Sequence, residues 1–138
     1  MQTNVLLDTN FLLIPAVFNV DIFSEFERIL PNYELFILDK CIKELEGIVG
    51  NQKGKHRSAA KIGLSLLKKY NVGIIKTEKH INRDKPLPTI HYVDDIILDL
   101  AVKNNYVVAT QDKELKEKLK KQGVKIITLR QKKYLIIN

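Results

Sequence analysis

Four carboxylate side chains occur at positions from which they could meet at one end of a sheet. Asp8 and Asp112 each stand just past a short apolar run. Asp94 begins the segment that leads to the apolar run before Asp112. Glu44 lies about one and a half turns into the segment of helical period that follows a third apolar run, at residues 35–38. In an open parallel sheet, ligands gather beyond the carboxyl ends of the strands. Facing carboxylates repel one another unless a cation lies between them, so the pattern points to a site for a divalent ion.

Each acid also has an ordinary structural interpretation. Three stand where the N-cap of a helix is expected: Asp39, Asp94 and Asp112. Glu44 and Glu46 are typical of solvated helix residues. Asp8 is harder to explain in this way, because it closes an apolar strand and is followed by Thr9 and Asn10. It either opens the next turn or holds a hard cation.

The elements that must position these acids alternate along the chain. Apolar runs predict five strands at residues 5–7, 35–38, 72–75, 106–110 and 124–129, and residues 134–137 form a final apolar strip. Segments of helical period lie between the strands, which is the pattern of βα units around a mainly parallel sheet. Residues 79–91 are predicted to form a surface loop.

Two aspartates and two apolar faces define the predicted helices most clearly. Asp21 is expected to cap a helix over 22–30, and Asp39 a helix that ends at Gly50. The first buried face, in the Asp39 helix, consists of Ile42, Leu45, Ile48 and Val49. The second face, in the next helix, consists of Ala59, Ile62, Leu66 and Leu67.

Composition narrows the class of protein. The chain has 138 residues, 45% of them hydrophobic, which is enough for one domain with its own core. Its single cysteine, Cys41, cannot form an internal disulfide, and no Cys and His cluster has zinc spacing, so a metal would need oxygen ligands. No apolar run is long enough for a membrane span, and the amino terminus lacks the basic region of a secretory signal, so we expect a cytoplasmic protein. The net charge of +7 suits a polyanionic partner.

Four segments resemble, in order and spacing, the signature regions of PIN domains, a family of metal-dependent ribonucleases. They are 5–10 (VLLDTN), 42–46 (IKELE), 93–101 (VDDIILDLA) and 107–115 (VVATQDKEL). The resemblance implies a single domain over 1–138 with an α/β/α three-layer sandwich. It also implies a central, mainly parallel five-stranded sheet with strand order 3-2-1-4-5.

The resemblance assigns roles to individual residues. Asp8, Asp94 and Asp112 would hold Mg²⁺ or Mn²⁺, and Glu44 would orient or deprotonate the attacking water. Asn10 and Thr110 would support them, while Asp95 and Glu46 are neighbouring acids that compete for the assignment. Asp94 is preferred over Asp95 because it stands seven residues before Ala101, as in the family, and because Asp95 lies about 100° further around a helix.

Two groups of basic residues are candidates for binding RNA. The first is Lys53, Lys55, Arg57 and Lys61, accompanied by His56. The second is the lysine-rich stretch 113–133, part of which is better explained as a solvated helix face with the pairs Glu114–Lys118 and Glu117–Lys121. Contacts with phosphates need only positive charge, so binding would weaken with salt.

The function expected from this resemblance is that of an Mg²⁺- or Mn²⁺-dependent endoribonuclease. The carboxyl-terminal segment is closest to archaeal and eukaryotic PIN proteins of pre-rRNA processing, and the chain is also similar to VapC-type toxins. Expected partners are RNA, a second copy of the chain, and an antitoxin or a ribosome-assembly protein, with no membrane. The alternative is a weakly catalytic RNA-binding module in a ribosome-maturation complex. A phosphatase using Asp8 as nucleophile is disfavoured, since it needs a second Asp where this chain has Asn10.

Overall fold

The computed structural model describes residues 2–77 and 92–138, in which strands alternate with helices. The strands are β1 (Thr3–Leu7), β2 (Tyr33–Leu38), β3 (Gly73–Ile75), β4 (Val107–Ala109), β5 (Ile126–Arg130) and β6 (Tyr134–Ile137). The helices are α1 (Ile14–Phe18), α2 (Ile22–Ile29), α3 (Asp39–Asn51), α4 (Lys55–Lys69), α5 (Tyr92–Asn104) and α6 (Lys113–Lys121), with a short 3-10 helix (Thr9–Leu13) after β1. The predicted surface loop 79–91 lies outside the described residues.

The strands form one sheet in the order β3-β2-β1-β4-β5-β6. β1 lies at its centre and pairs in parallel with β2 on one side and with β4 on the other. Because parallel crossovers are right-handed, the helices before β3 and those after it are expected on opposite faces of the sheet. Consistent with this, α4 contacts α1 and α3, and α5 contacts α6. The predicted α/β/α class and the strand order 3-2-1-4-5 are confirmed.

The predicted count of five strands is one short, because the apolar strip at the carboxyl terminus adds β6. This strand pairs antiparallel with β5. The turn between them places Gln131 and Lys132 at φ values of 53° and 56°. Tight hairpins with two left-handed residues usually carry Asn and Gly there. A Gln-Lys turn lacks that signal, which is why the sequence did not predict the hairpin.

The core is formed by both faces of the central strands and by the helices that follow them. Val5, Leu6 and Leu7 are fully buried, as expected for a strand covered on both sides. Phe11 stacks on Phe26 with ring centroids 6.0 Å apart. Within the two described segments, no helix has the length and apolar character needed to cross a membrane.

Of the caps predicted at Asp21 and Asp39, the first is confirmed and the second is wrong. Asp21 caps α2 by accepting the backbone N–H groups of Phe23 and Ser24, both at 3.1 Å. Asp39 is instead the first residue of α3, and its Oδ1 accepts the N–H of Thr77 at 3.1 Å. Asp39 therefore ties the segment after β3 to the end of β2, a long-range contact that a local pattern cannot predict.

Helix α4 packs on the core with three of its four predicted inward residues: Ala59 and Leu67 are buried, and Leu66 is partly buried against the core. Ile62 is 44% exposed, so its predicted inward position is wrong. Two small residues that were not predicted, Ala60 and Gly63, complete the packed face. A Cβ atom at Gly63 would lie 2.6 Å from the carbonyl oxygen of Leu12. The small residues thus let α4 approach the 3-10 helix that begins directly after Asp8.

Replacing Gly63 by alanine is therefore expected to destabilise the fold. The new methyl group meets main-chain atoms, so the 3-10 helix must shift, and we expect the free energy of unfolding to fall by about 1–3 kcal/mol. Urea denaturation measures this change. The matched control is Gly47→Ala in α3, where nothing lies within 4 Å of the added Cβ. That change should raise the free energy of unfolding by about 0.5–1 kcal/mol. Equal effects of the two changes would contradict the close approach.

The outer edge of the sheet at β6 is covered by side chains of α2. Glu25 Oε1 accepts the N–H of Leu135 at 2.9 Å, and Arg28 Nη2 donates to the carbonyl oxygen of Leu135 at 2.7 Å. Arg28 and Glu25 are also paired with each other at 3.0 Å. The pair thus occupies one edge position that a further strand would otherwise use.

Candidate active site

Asp8 lies at the carboxyl end of the central strand, with only 6% of its surface exposed. Its backbone N–H donates to the carbonyl oxygen of Ala109 at 2.9 Å, which fixes it beside the end of β4. Its Oδ1 accepts the N–H of Thr9 at 2.8 Å, and its Oδ2 accepts the hydroxyl of Thr110 at 2.7 Å. Two strand ends and two donors therefore hold this carboxylate in one orientation.

Thr110 connects Asp8 to Asp112 through its hydroxyl group. The side chain is fully buried. While donating to Asp8, the Thr110 hydroxyl accepts the backbone N–H of Asp112 at 3.1 Å. Asp112 in turn caps α6, because its Oδ1 accepts the N–H of Leu115 at 3.0 Å. The interpretation of Asp112 as a helix cap is thus correct. Asp112 is at the same time connected to Asp8 through the single hydroxyl group of Thr110.

The electrostatics of the site centre on Asp8. Burial raises the pKa of Asp8 above its usual range, and the negative charges of Glu44 and Asp112 raise it further, although the hydrogen bonds from Thr110 and Thr9 oppose the rise. Glu44 is exposed on α3, within range of Asp8, whereas the exposed Glu46 borders a groove formed with residues of α4 and β3. Asp8, Glu44 and Asp112 therefore form one negatively charged locus.

A divalent cation would relieve this repulsion, and the donor set suits Mg²⁺ or Mn²⁺. The available groups are carboxylate and hydroxyl oxygens, the ligands that these hard ions prefer. Within residues 2–77 and 92–138, no three His, Cys, Asp or Glu side chains stand close enough to ligate one ion. Mg²⁺ commonly binds through only one or two carboxylates and keeps several waters. The residues at this end of the sheet therefore fit such an ion in chemistry and charge.

The remaining predicted site residues lie around this locus. Asp94 and Asp95 occupy the first turn of α5, where Asp94 is half-buried and Asp95 is exposed, so only Asp94 is turned towards the protein. Asn10 lies in the 3-10 helix, with its Oδ1 3.5 Å from the backbone nitrogen of Gln111. Asn10 therefore stands against the same turn that carries Thr110.

The first basic group lies at the amino-terminal end of α4. All four of its members are exposed: Lys53, Lys55, Arg57 and Lys61. None of them takes part in the ion pairs found in the two described segments. In the second basic group, Lys118 pairs with Glu114 at 3.6 Å as predicted. The predicted pair Glu117–Lys121 does not form among the described residues. All four charges of the first group are thus outside these ion pairs, and in the second group only Lys118 is paired.

Two residues next to the site were not singled out by the sequence. Cys41 is fully buried near Asp8, and burial raises the pKa of its thiol to about 12. Gln111 lies between Thr110 and Asp112, and its side-chain oxygen accepts the N–H of Leu129 at 2.8 Å. A polar residue after a strand is usually read as part of a turn, so no local signal indicates this bond.

A family model described as a PIN like domain matches residues 5–132. The chain is 35% identical to Ribonuclease VapC4 of Methanocaldococcus jannaschii over 134 residues, covering 94% of this chain and 92% of that protein. It is 26% identical to Ribonuclease VapC9 of Archaeoglobus fulgidus over 132 residues, covering 95% and 86%.

Solved structures show the same fold at lower identity. The PIN domain endonuclease Utp24 superposes with a TM-score of 0.71 at 24% identity, over 98% of this chain and 90% of that one. VapBC2 from Rickettsia felis, solved with a DNA fragment from its promoter, gives a TM-score of 0.57 at 16% identity, over 83% and 92%. These two likenesses support the fold, and the family model and VapC4 extend over nearly the whole chain.

Proposed function

Because this chain belongs to the family of PIN-like domains, we propose that it is a divalent-metal-dependent ribonuclease whose site is built on Asp8. The observation that carries the proposal is the chain of hydrogen bonds from Asp8 through Thr110 to Asp112, at the ends of two adjacent parallel strands. The names of the two VapC relatives support the choice of RNA as substrate. The net charge of +7 suits that polyanion.

We propose Mg²⁺ or Mn²⁺ as the ion, held directly by Asp8 and Asp112 and by Asp94 either directly or through a water molecule, since Mg²⁺ commonly keeps several waters. When bound, the ion supplies a Lewis acid for the scissile phosphate and lowers the pKa of water. Asp8 and Asp112 hold their carboxylates in place through Thr110 and the α6 cap. Glu44 is exposed, so it can reach a water molecule, orient it and accept its proton. Asp94, on the inward side of α5, completes the set.

The test of this proposal is cleavage of a single-stranded RNA by the purified chain. We expect cleavage with Mn²⁺ or Mg²⁺, loss of cleavage after EDTA, and recovery when the ion is restored in excess. A circular RNA substrate distinguishes endonucleolytic from exonucleolytic cleavage, because only an endonuclease can cut an RNA that has no ends. RNA binding without ion-dependent cleavage would favour the alternative of an RNA-binding module.

The cellular role that we propose is that of a toxin nuclease controlled by an antitoxin. Two relatives carry the VapC name, and one of them is 35% identical over nearly all of this chain. Expression is then expected to arrest growth, and co-expression of the neighbouring gene's product to relieve the arrest. The resemblance of the carboxyl-terminal segment to PIN proteins of pre-rRNA processing favours a second role in RNA processing. Normal growth with accumulation of a trimmed precursor RNA would favour that role.

The basic group before and within α4 is proposed to contact the phosphates of the substrate. Reversing three charges at Lys55, Arg57 and Lys61 is expected to weaken binding of single-stranded RNA at low salt. The slope of log K against log salt should become shallower by about 0.7 for each phosphate that the variant no longer neutralises, or about 2 in total. Fluorescence anisotropy between 50 and about 200 mM salt measures this slope.

The matched control reverses three exposed lysines that lie outside both basic groups: Lys68, Lys69 and Lys76. This control changes the net charge by the same amount, so it separates a local contact from the overall field of the protein. An equal reduction of binding in both triple variants would contradict a binding role for the α4 group.

A further inference from the structure

The side-chain oxygen of Gln111 accepts a hydrogen bond that a main-chain carbonyl oxygen would accept if β4 were longer. Between β4 and β5, Val108 N donates to the carbonyl oxygen of Lys125 at 3.1 Å, and Thr110 N to that of Ile127 at 3.2 Å. In an evenly spaced parallel ladder, the next bond would run from Leu129 N to the carbonyl oxygen of Thr110. Leu129 N donates instead to Gln111 Oε1 at 2.8 Å. The amide side chain thus replaces the carbonyl group that a continued β4 would have supplied.

This substitution lets the chain leave the sheet one residue after β4 ends. The turn 110–112 can then aim the Thr110 hydroxyl at Asp8 Oδ2 and bring Asp112 N onto that hydroxyl. In a continued strand, side chains would alternate between the two faces of the sheet and Asp112 could not cap α6. The departure from the ladder is therefore what brings Asp112 next to Asp8.

The main chain of Gln111 also contacts the 3-10 helix that follows Asp8. Its backbone nitrogen lies 3.5 Å from Asn10 Oδ1, in the 3-10 helix that follows Asp8. Its side chain is bonded to β5 and its main chain faces Asn10, so the turn 110–112 is held between the two. No other side chain in the turn contacts β5 through a hydrogen bond among the described residues.

We propose that Gln111 is a positioning residue for the metal site, acting through the turn that carries Thr110 and Asp112. This inference rests on the proposed function, because it concerns the same site. Removing the Gln111 amide oxygen leaves Leu129 N without its acceptor, which favours movement of the turn away from β5. Asp112 then moves relative to Asp8, and the ion loses the fixed pair of carboxylates.

The experiment compares Gln111→Met with Gln111→Glu. Methionine has a similar length and no strong acceptor, whereas glutamate keeps a carboxylate oxygen that can accept the Leu129 N–H. The readouts are hydrogen exchange of the Leu129 amide, Mn²⁺ affinity by calorimetry, and kcat/KM for RNA. The matched control is Gln122→Met at the exposed carboxyl end of α6.

We expect Gln111→Met to lose protection of the Leu129 amide against hydrogen exchange. It should also bind Mn²⁺ about 10–100-fold more weakly, because losing an outer group that orients a metal ligand usually lowers metal affinity by that factor. Gln111→Glu should recover the protection and most of the affinity, and Gln122→Met should match the parent. If Gln111→Met loses the protection but binds Mn²⁺ as the parent does, the bond is only structural and the inference is overturned. If the parent itself binds no Mn²⁺, the proposed function fails, which is a distinguishable result.

Discussion

Replacing Asp8 by asparagine is expected to abolish metal-dependent RNA cleavage while the fold stays intact. Asp8 is the most buried of the candidate ligands and lies at the centre of the sheet. Losing an outer group that orients a metal ligand lowers metal affinity or activity by about 10–100-fold. Losing the ligand itself should therefore lower kcat/KM by at least about 100-fold. The measurement is RNA cleavage at saturating Mn²⁺.

The fold is expected to survive because asparagine has the same shape and keeps one acceptor. Its Oδ1 can accept the N–H of Thr9, and its amide can donate to the Thr110 hydroxyl oxygen. Burial raises the pKa of Asp8, which means that the charged form is disfavoured there. The metal-free variant should therefore unfold at a temperature equal to or above that of the parent.

Thermal unfolding with and without Mn²⁺ separates the effect on binding from the effect on the fold. A ligand at about 100 times its Kd stabilises a protein by about 2.7 kcal/mol, so Mn²⁺ should stabilise the parent and not the variant. Asp99→Asn, at a partly exposed position paired with Lys103, is the matched control. An Asp8→Asn protein with full cleavage activity would refute the assignment of the site.

Replacing Thr110 by valine is expected to impair both stability and activity. Valine fills almost the same volume but removes the hydroxyl group that joins Asp8 Oδ2 to Asp112 N. Asp8 Oδ2 then lacks a partner at a buried position and Asp112 N at a partly buried one, which should lower the free energy of unfolding by about 1–3 kcal/mol. Cleavage should fall by about 10–100-fold, as when the support of a metal ligand is removed.

Thr110→Ser is the control, because serine keeps the hydroxyl and lacks only a methyl group. It should cost about 1 kcal/mol in stability and retain cleavage close to that of the parent. Urea unfolding and kcat/KM for RNA are measured on both variants. A fully active valine variant would show that the bridge between Asp8 and Asp112 has no part in catalysis.

The sequence was informative about the sheet because simple rules govern parallel α/β folds. Short apolar runs mark strands buried on both faces, which predicts a parallel sheet. The order 3-2-1-4-5, which the structure confirms, came from the resemblance to PIN domains. The meeting of Asp8 with Asp112 follows from the same rules, since both lie past the carboxyl ends of neighbouring strands.

The features that were not predicted depend on contacts between distant residues. Asp39 bonds to Thr77, 38 positions away, and therefore does not act as the expected cap. The small-residue face of α4 is selected by the carbonyl group of Leu12, which local helical periodicity does not encode. Gln111 reaches Leu129 only because β4 ends where it does. The places of Glu44 and Asp94 in catalysis remain predictions that rest on the resemblance to the family.

The measurement that tests the metal site most directly is anomalous diffraction from a crystal soaked in Mn²⁺. We expect a peak in contact with carboxylate oxygens of Asp8 and Asp112, with Asp94 as the third protein ligand or joined through water. A crystal at saturating Mn²⁺ with no anomalous peak at the Asp8 carboxylate would contradict the proposed metal site.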